Sequence, residues 1–267
     1  MKWKAYKESG MTNKGMAEIL YEWNYKHTCV KPVKLDLFPF GKKIGALQAE
    51  FIHTGDIRDP FPELPESYCL KPVDGAGARG VFLMHKGINL KDGTAYTEDG
   101  LREKYIEQAK QYVGYSLNYF VEELLLNGDD IPDDISFFMV EDNVGGILQA
   151  KRLGKGKGKV FYDGDWNVIG SKGIPRVKPS PDLQNDMTGM AKLVMRELGV
   201  PCMRVDFYPV EGRGAFLGEL TAASGTFTPQ PSVSFTGIPG GIMVDSYCGW
   251  LLQNVDTDRY NSEWRLK

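Results

Sequence analysis

"LKPVDGAGARGVFLM", residues 70–84, contains Gly75-x-Gly77-x-x-Gly80, the spacing of a dinucleotide-binding fingerprint. That fingerprint requires a strand before the glycines and a helix opening at the last of them, so that a pyrophosphate sits on the helix N-terminus. The preceding "SYCLKPV" has the β-branched and apolar content of a strand. The following "VFLM" is a second short apolar run with no helical period and no cap. The element therefore reads strand, glycine loop, strand. Such a hairpin can lay backbone N–H groups over phosphates from above, as the glycine-rich loop of protein kinases does. The competing reading is a surface hairpin with no ligand.

The chain of 267 residues, 42% hydrophobic and 25% charged, is long enough to bury a full core as one large domain or two tightly joined ones. A net charge of −3 argues against nucleic acid as the main partner, because phosphate backbones select concentrated basic surfaces. No stretch approaches the roughly 20 apolar residues of a membrane span, and the first residues hold no apolar signal core. Cys29, Cys69, Cys202 and Cys248 are far apart and only three histidines are present, so a zinc site is not expected. Reduced thiols and a cytoplasmic location are the default expectation.

Along the chain, Met16, Ile19, Leu20 and Trp23 give residues 12–27 a helical period. Residues 31–66 are punctuated by proline and glycine and read as a link. A polar helix is expected at about 98–113, followed by the apolar run "LNYFVEELLL". "ISFFMVED" and "GGILQAKRL" read as two strands joined at Asn143–Gly146. Residues 154–159, "GKGKGK", form a basic loop. The clearest helix is 181–198, with Ser180 as cap, Pro181 in the first turn and Gly199 as terminator. Its apolar stripe is Leu183, Met187, Met190, Ala191, Val194 and Leu198. Residues 221–241 read as a long functional loop, and a last helix is expected near 242–253. Hairpins mixed with helices in this order predict an α+β fold with antiparallel sheets.

The most chemistry lies in "RVDFYPVEGRGAFLGELTAASG", residues 204–225. A two-residue type II′ turn at Gly212-Arg213 would place Val210 opposite Ala215, Asp206 opposite Glu219, and Arg204 opposite Thr221. One face would then be core: Met203, Val205, Phe207, Phe216, Gly218 and Leu220. The other would hold Arg204, Asp206, Glu219 and Thr221. Facing carboxylates repel unless something neutralises them, and a hard divalent cation with oxygen-only ligands does so. Arg204 nearby suits phosphate or a developing negative charge. The bland alternative is a solvated face on which the carboxylates pair with Arg204 and lysines. No P-loop run and no protein-kinase signature set is present.

A lysine strand before a glycine hairpin, a Glu-Glu pair after an apolar strand, then an Asp and a Glu on late neighbouring strands: this order resembles the ATP-grasp superfamily. The nearest branch is the one named for teichuronopeptide biosynthesis. The match is carried by "LPESYCLKPVDGAG" (64–77), "FVEELL" (120–125), "FYDGDWNVI" (161–169) and residues 204–225. The resemblance implies an ATP-grasp fold in which two α+β lobes with antiparallel sheets clasp the nucleotide. Its divisions would be a reduced N-terminal region at 1–63, a lobe with the glycine lid at 64–126, and a C-terminal lobe with the metal site and substrate loop at 127–267.

It also implies an ATP-dependent carboxylate–amine ligase working through an acyl phosphate, with ATP and Mg²⁺ (or Mn²⁺) as cofactors. A small-molecule kinase and a non-catalytic nucleotide-binding module are the alternatives. The implied ATP-binding residues are Lys71, Gly75, Gly77, Gly80, Glu122 or Glu123, Leu125 and, for the ribose, Asp134, chosen from the four aspartates of "NGDDIPDD". The implied metal ligands are Asp206, Glu219 and Thr221; Arg204 and Arg152 are the implied catalytic residues, with Lys151 a weaker phosphate candidate. Thr221 is a departure, since the family commonly has Glu-x-Asn where this chain has Glu219-Leu220-Thr221. The family's earlier nucleotide lysine has no obvious counterpart in the sequence. Small-molecule or peptide carboxylates and amines are the expected partners, and a homodimer stays open.

Overall fold

The computed structural model describes residues 34–74, 80–111, 116–151, 158–174, 176–200 and 202–221. The expected helices at 12–27 and 242–253, all of the expected loop 221–241 but Thr221, and Arg152, Gly75 and Gly77 lie outside them.

Twelve strands among the described residues form two six-stranded sheets whose neighbouring strands all pair antiparallel. The first, in spatial order, is β1 (Phe51–Asp56), β6 (Asn118–Glu123), β2 (Ser67–Pro72), β3 (Phe82–His85), β4 (Ile88–Asn89) and β5 (Thr94–Ala95). The second is β10 (Val168–Gly173), β9 (Gly158–Tyr162), β8 (Asn143–Ala150), β7 (Asp134–Val140), β11 (Cys202–Val210) and β12 (Gly214–Thr221). Three helices, α1 (Leu37–Ile44), α2 (Glu98–Lys110) and α3 (Pro181–Leu198), complete the framework, with a 3-10 turn at Lys34–Asp36 before α1.

The glycine hairpin is therefore a hairpin. β2 and β3 pair directly, Ser67 with His85 through Leu70 with Phe82, and a strand, not a helix, follows Gly80. Gly80, at φ +64°, donates its N–H to Gln108 Oε1 at 2.9 Å, which ties the end of the loop to α2.

The two-residue alternation of each central strand sorts its side chains between a helix-covered face and an open one. In the first sheet Leu70, Phe82, Met84, Tyr119 and Val121 pack on Leu101, Tyr105 and Ala109 of α2. The intervening positions, Cys69, Lys71, Phe120 and Glu122, occupy the other face. In the second sheet Ile135, Phe137, Met139, Met203, Val205 and Phe207 pack on Leu183, Met187, Ala191 and Val194 of α3. That leaves Asp134, Ser136, Arg204, Asp206 and Tyr208 on the opposite face. α3 is built as its sequence dictates: Ser180 Oγ accepts from the Leu183 N–H at 3.4 Å, and Gly199 closes it at φ +62°. All six residues of its expected stripe are buried or half-buried against the core, joined by Met195.

Two sequence expectations are corrected. The β7–β8 turn is Glu141-Asp142, with Glu141 at φ +50°, and Asn143 to Gly146 belong to β8. The β11–β12 loop is a three-residue Glu211–Arg213, with Val210 opposite Gly214, not Ala215. An irregularity at Gly218 then restores the expected register, so Asp206 still faces Glu219 and Arg204 still faces Thr221. The slip flips the outer half of β12. Leu217 takes the core place expected of Phe216, which instead joins Leu125 and Val210 in a cluster between the lobes.

The lobes are also sewn together by polar contacts at this hairpin. Arg213 forks onto Glu123 at 2.6 and 3.2 Å, and Asn127 donates to the Pro209 carbonyl while accepting from the Glu211 N–H. α1 spans both sides: Leu37 and Phe40 join the core of the second lobe, while Phe38 packs on Phe51 and Phe120 of the first sheet. No helix among the described residues is long and apolar enough to cross a membrane.

Candidate functional site

The open faces of the two sheets meet around Tyr208, whose ring is surrounded by Asp134, Lys71, Glu219 and Asp206. From the first sheet, Lys71 and Glu122 form an ion pair with both side chains largely buried. Burial pulls the Lys71 ammonium down, but the adjacent Glu122 carboxylate, together with Cys69 and Tyr208, more than offsets it and holds Lys71 well above the lysine range. Lys71 thus stays charged over any physiological pH, and its Nζ lies 6.0 Å from the Phe120 ring centroid.

From the second sheet, Arg204 grips Asp206 through Nε and Nη2 at 2.7 to 3.1 Å, two residues along the same strand. Its Nη2 also lies 3.6 Å from Glu219 Oε2, so one guanidinium spans the facing carboxylates. Thr221 donates its hydroxyl to Glu219 Oε1 at 3.2 Å. Asp206 is 2% exposed, whereas Glu219 is half-buried. Burial works against the charge on Arg204, and Asp206, Glu219 and Asp134 together more than restore it. The repulsion expected between Asp206 and Glu219 is therefore met, in part, by Arg204 itself.

Tyr208 stands between the two groups. Burial pushes its phenol well above the usual range; Asp134 adds to this and Lys71 opposes it. Its ring lies over Gly218 so closely that a Cβ there would come within 2.2 Å of a ring carbon.

The sequence missed Lys34, in the 3-10 turn before α1. Burial and the neighbouring Lys71 lower its pKa, against Glu219 and Glu122, which raise it. This second lysine feels groups from both lobes. Its position follows from packing of a segment that sequence reading assigned to a link, so no local pattern marks it.

The remaining candidates separate. Glu123 faces away from Lys71, taken up by Arg213 and by a long contact to the Glu50 N–H. Leu125 is buried in the inter-lobe cluster just beyond the end of β6. The four aspartates of "NGDDIPDD" are divided: Asp130 pairs with Lys151, Asp133 with Arg176 and Gln149, and Asp134 lies by Tyr208 and Arg204, while Asp129 is exposed. Lys151 is thus an ion-pair partner at the end of β8, and "FYDGDWN" is a turn between β9 and β10.

Among the described residues no three His, Cys, Asp or Glu side chains converge as a metal cage. Asp206 and Glu219 are two hard oxygen donors side by side. That suits Mg²⁺, which is commonly held by one or two carboxylates, with waters and substrate phosphates completing its shell.

The TupA-like ATPgrasp family model matches residues 54–234. Among solved structures, the VanG D-Ala:D-Ser ligase from Enterococcus faecalis is 14% identical at a TM-score of 0.51, covering 82% of this chain and 61% of that one. The D-alanine–D-alanine ligase from Coxiella burnetii is 13% identical, with a TM-score of 0.49 over 94% of this chain and 68% of that one. An L-amino acid ligase from Bacillus licheniformis is 12% identical, with a TM-score of 0.49 over 88% and 50%. The chain spans about three fifths of the length of the VanG ligase. No curated protein matches. With the family model covering well over half of the chain, and two antiparallel sheets built as described, the protein belongs to the TupA-like ATP-grasp family and has the ATP-grasp fold.

Proposed function

We propose that the chain is an ATP-dependent ligase that joins a carboxylate to an amine through an acyl phosphate, releasing ADP and phosphate. The observation that carries this reading is the meeting, across one cleft, of Lys71 and Lys34 with the Arg204–Asp206–Glu219 set. Two lysines supply fixed positive charge for a polyphosphate. Two facing carboxylates supply the anchor for Mg²⁺, which when bound would neutralise charge on the transferring phosphoryl group. Arg204, already oriented by Asp206, would turn toward charge developing on the acyl phosphate. The described residues offer positioning and electrostatics, and this chemistry asks for no protein nucleophile. Lys71, with Glu122 fixing its ammonium, would hold phosphates, and Leu125 would offer backbone to the adenine edge. Gly75, Gly77 and Gly80 would close over the nucleotide as a lid. Asp134 keeps its place as a ribose candidate, and Thr221 as a weak or water-mediated metal ligand. Lys155–Lys159 and residues 221–241 would line the acceptor side.

The test is product analysis with Mg-ATP and pooled carboxylic acids, amino acids and small peptides. ADP and phosphate are expected only when a carboxylate and an amine are both present. A stable phosphorylated product formed without an amine would make the chain a kinase instead. A second reading, a nucleotide-binding module without turnover, is favoured by one feature: Arg204 occupies Asp206 through both of its oxygens. Mg-ATP binding with no ADP release from any pool would select it.

A further inference from the structure

Ser136 sits in the middle of β7, where its cross-strand neighbours are Asp206 on β11 and Leu148 on β8. Directly opposed residues of antiparallel strands project to the same face, with Cβ atoms about 4.5–5.5 Å apart. Asp206 in turn faces Glu219 on β12. Ser136, Asp206 and Glu219 therefore form a single row across three strands, on the face away from α3.

Ser136 is 1% exposed, and its Oγ has no hydrogen-bond partner. A hydroxyl buried in that state destabilises the fold, so alanine or valine would serve the sheet better. The neighbouring carboxylate is engaged through both of its oxygens by Arg204. An unpaired donor-acceptor next to a paired carboxylate is arranged for something that arrives with hydrogen-bonding capacity of its own.

We propose that Ser136 is a cation-positioning residue. Its hydroxyl accepts a hydrogen bond from a water of the hydrated divalent cation held at Asp206 and Glu219, and turns its own proton toward Asp206. Mg²⁺ and Mn²⁺ retain several waters when bound by two carboxylates, so a fixed acceptor for one of them orients the whole ion. Ser136 thereby supplies, from β7, an anchoring point beside the two carboxylates that neither of them provides. This inference rests on the metal assignment made in the proposed function.

The experiment is a titration of the whole chain with Mn²⁺ alone, following the free-ion electron paramagnetic resonance signal, with melting curves in the presence and absence of Mn²⁺. Wild type is expected to bind Mn²⁺ and Asp206→Asn to lose it. Ser136→Ala is expected to weaken binding about tenfold, the size of effect typical of groups that orient metal ligands through one intermediary. In metal-free buffer Ser136→Ala should melt no lower than wild type, since it removes an unsatisfied hydroxyl, while its Mn²⁺-induced rise in Tm shrinks. Should alanine fail to fold, Ser136→Cys keeps the volume with a poor acceptor and should show the same loss. If Ser136→Ala binds Mn²⁺ like wild type while Asp206→Asn does not, the inference falls and the metal assignment stands. If wild type and Asp206→Asn are indistinguishable, both fall. A lower metal-free Tm with unchanged Mn²⁺ affinity would make the hydroxyl structural.

Discussion

Two hairpins of the second sheet carry aspartates at places the sequence makes conspicuous, and they use them in opposite ways. In the β9–β10 turn, Asp163 Oδ1 accepts from the N–H groups of Asp165 and Asn167 at 3.0 and 2.8 Å, and Oδ2 accepts from the Asn167 amide at 3.0 Å. Its carboxylate is consumed by the loop that carries it. The same turn places Trp166, at φ +63°, into the core against Phe137 and Tyr162, with its indole N–H directed to Thr188 of α3. In the β11–β12 hairpin, Asp206 and Glu219 lie on a strand face and share one guanidinium, with Arg204 Nη2 at 2.7 and 3.6 Å from them. The distinction is general: a carboxylate satisfied by its own loop's backbone builds structure, whereas a charge held by a movable side chain can exchange that partner for a ligand.

The largest effect that would break this comparison is on turnover. Asp206→Asn and Glu219→Gln should each abolish ADP release while the circular dichroism spectrum stays folded, whereas Asp163→Ala should retain it. Unchanged turnover in both cleft variants, or loss in Asp163→Ala, would reverse the assignment of the two hairpins.

A smaller effect tests how the cleft face is held in register. Gly218→Ala places a methyl against the Tyr208 ring, within 2.2–2.9 Å of three ring carbons, and Tyr208 is packed in the inter-lobe cluster with Leu125 and Phe216. Overpacking of this kind costs about 1–3 kcal/mol, readable as a lower denaturation midpoint. The companion Tyr208→Leu in the Gly218→Ala background should recover part of the loss. A Gly218→Ala variant as stable as wild type would mean that the ring swings aside freely and does not fix the face.

The same register shows which parts of the molecule the sequence makes legible. The β2–β3 hairpin, the caps of α3 and the opposition of Asp206 to Glu219 all follow from short-range pattern: turn residues, periodicity and cap chemistry. The bulge at Gly218 does not, because the close approach of the Tyr208 ring there comes from the neighbouring strand and no local pattern encodes it. That one residue moved Phe216 from the core to the lobe interface and brought Leu217 in. Lys34 and Ser136 were invisible for the same reason. A lysine in a proline-rich stretch and a serine among phenylalanines acquire meaning only when distant strands bring carboxylates beside them. "FYDGDWN" is the reverse case, a run whose specificity helps carry the family resemblance and whose structural part is turn chemistry with a buried tryptophan.

The smallest effect sharpens the comparison from the structural side. Burial pushes the Asp163 carboxyl up, but hydrogen bonds from the Asn167 side chain and from the Asn167 and Asp165 N–H groups outweigh it and leave its pKa below the usual 3.8. The unfolded chain therefore takes up this proton at higher pH than the folded one, and stability linked to Asp163 is complete above about pH 4 and lost as pH falls through the folded value. Asp163→Ala, which removes two accepted backbone N–H bonds, should cost about 1–2 kcal/mol at pH 7. The gap to wild type should narrow on titration from pH 5 to pH 2.5, because protonation weakens in the wild type the same bonds that the variant lacks. Paired denaturant melts across that range measure it. A gap that stays constant would mean that backbone geometry around Trp166 holds the turn, and that the carboxylate's charge contributes nothing to it.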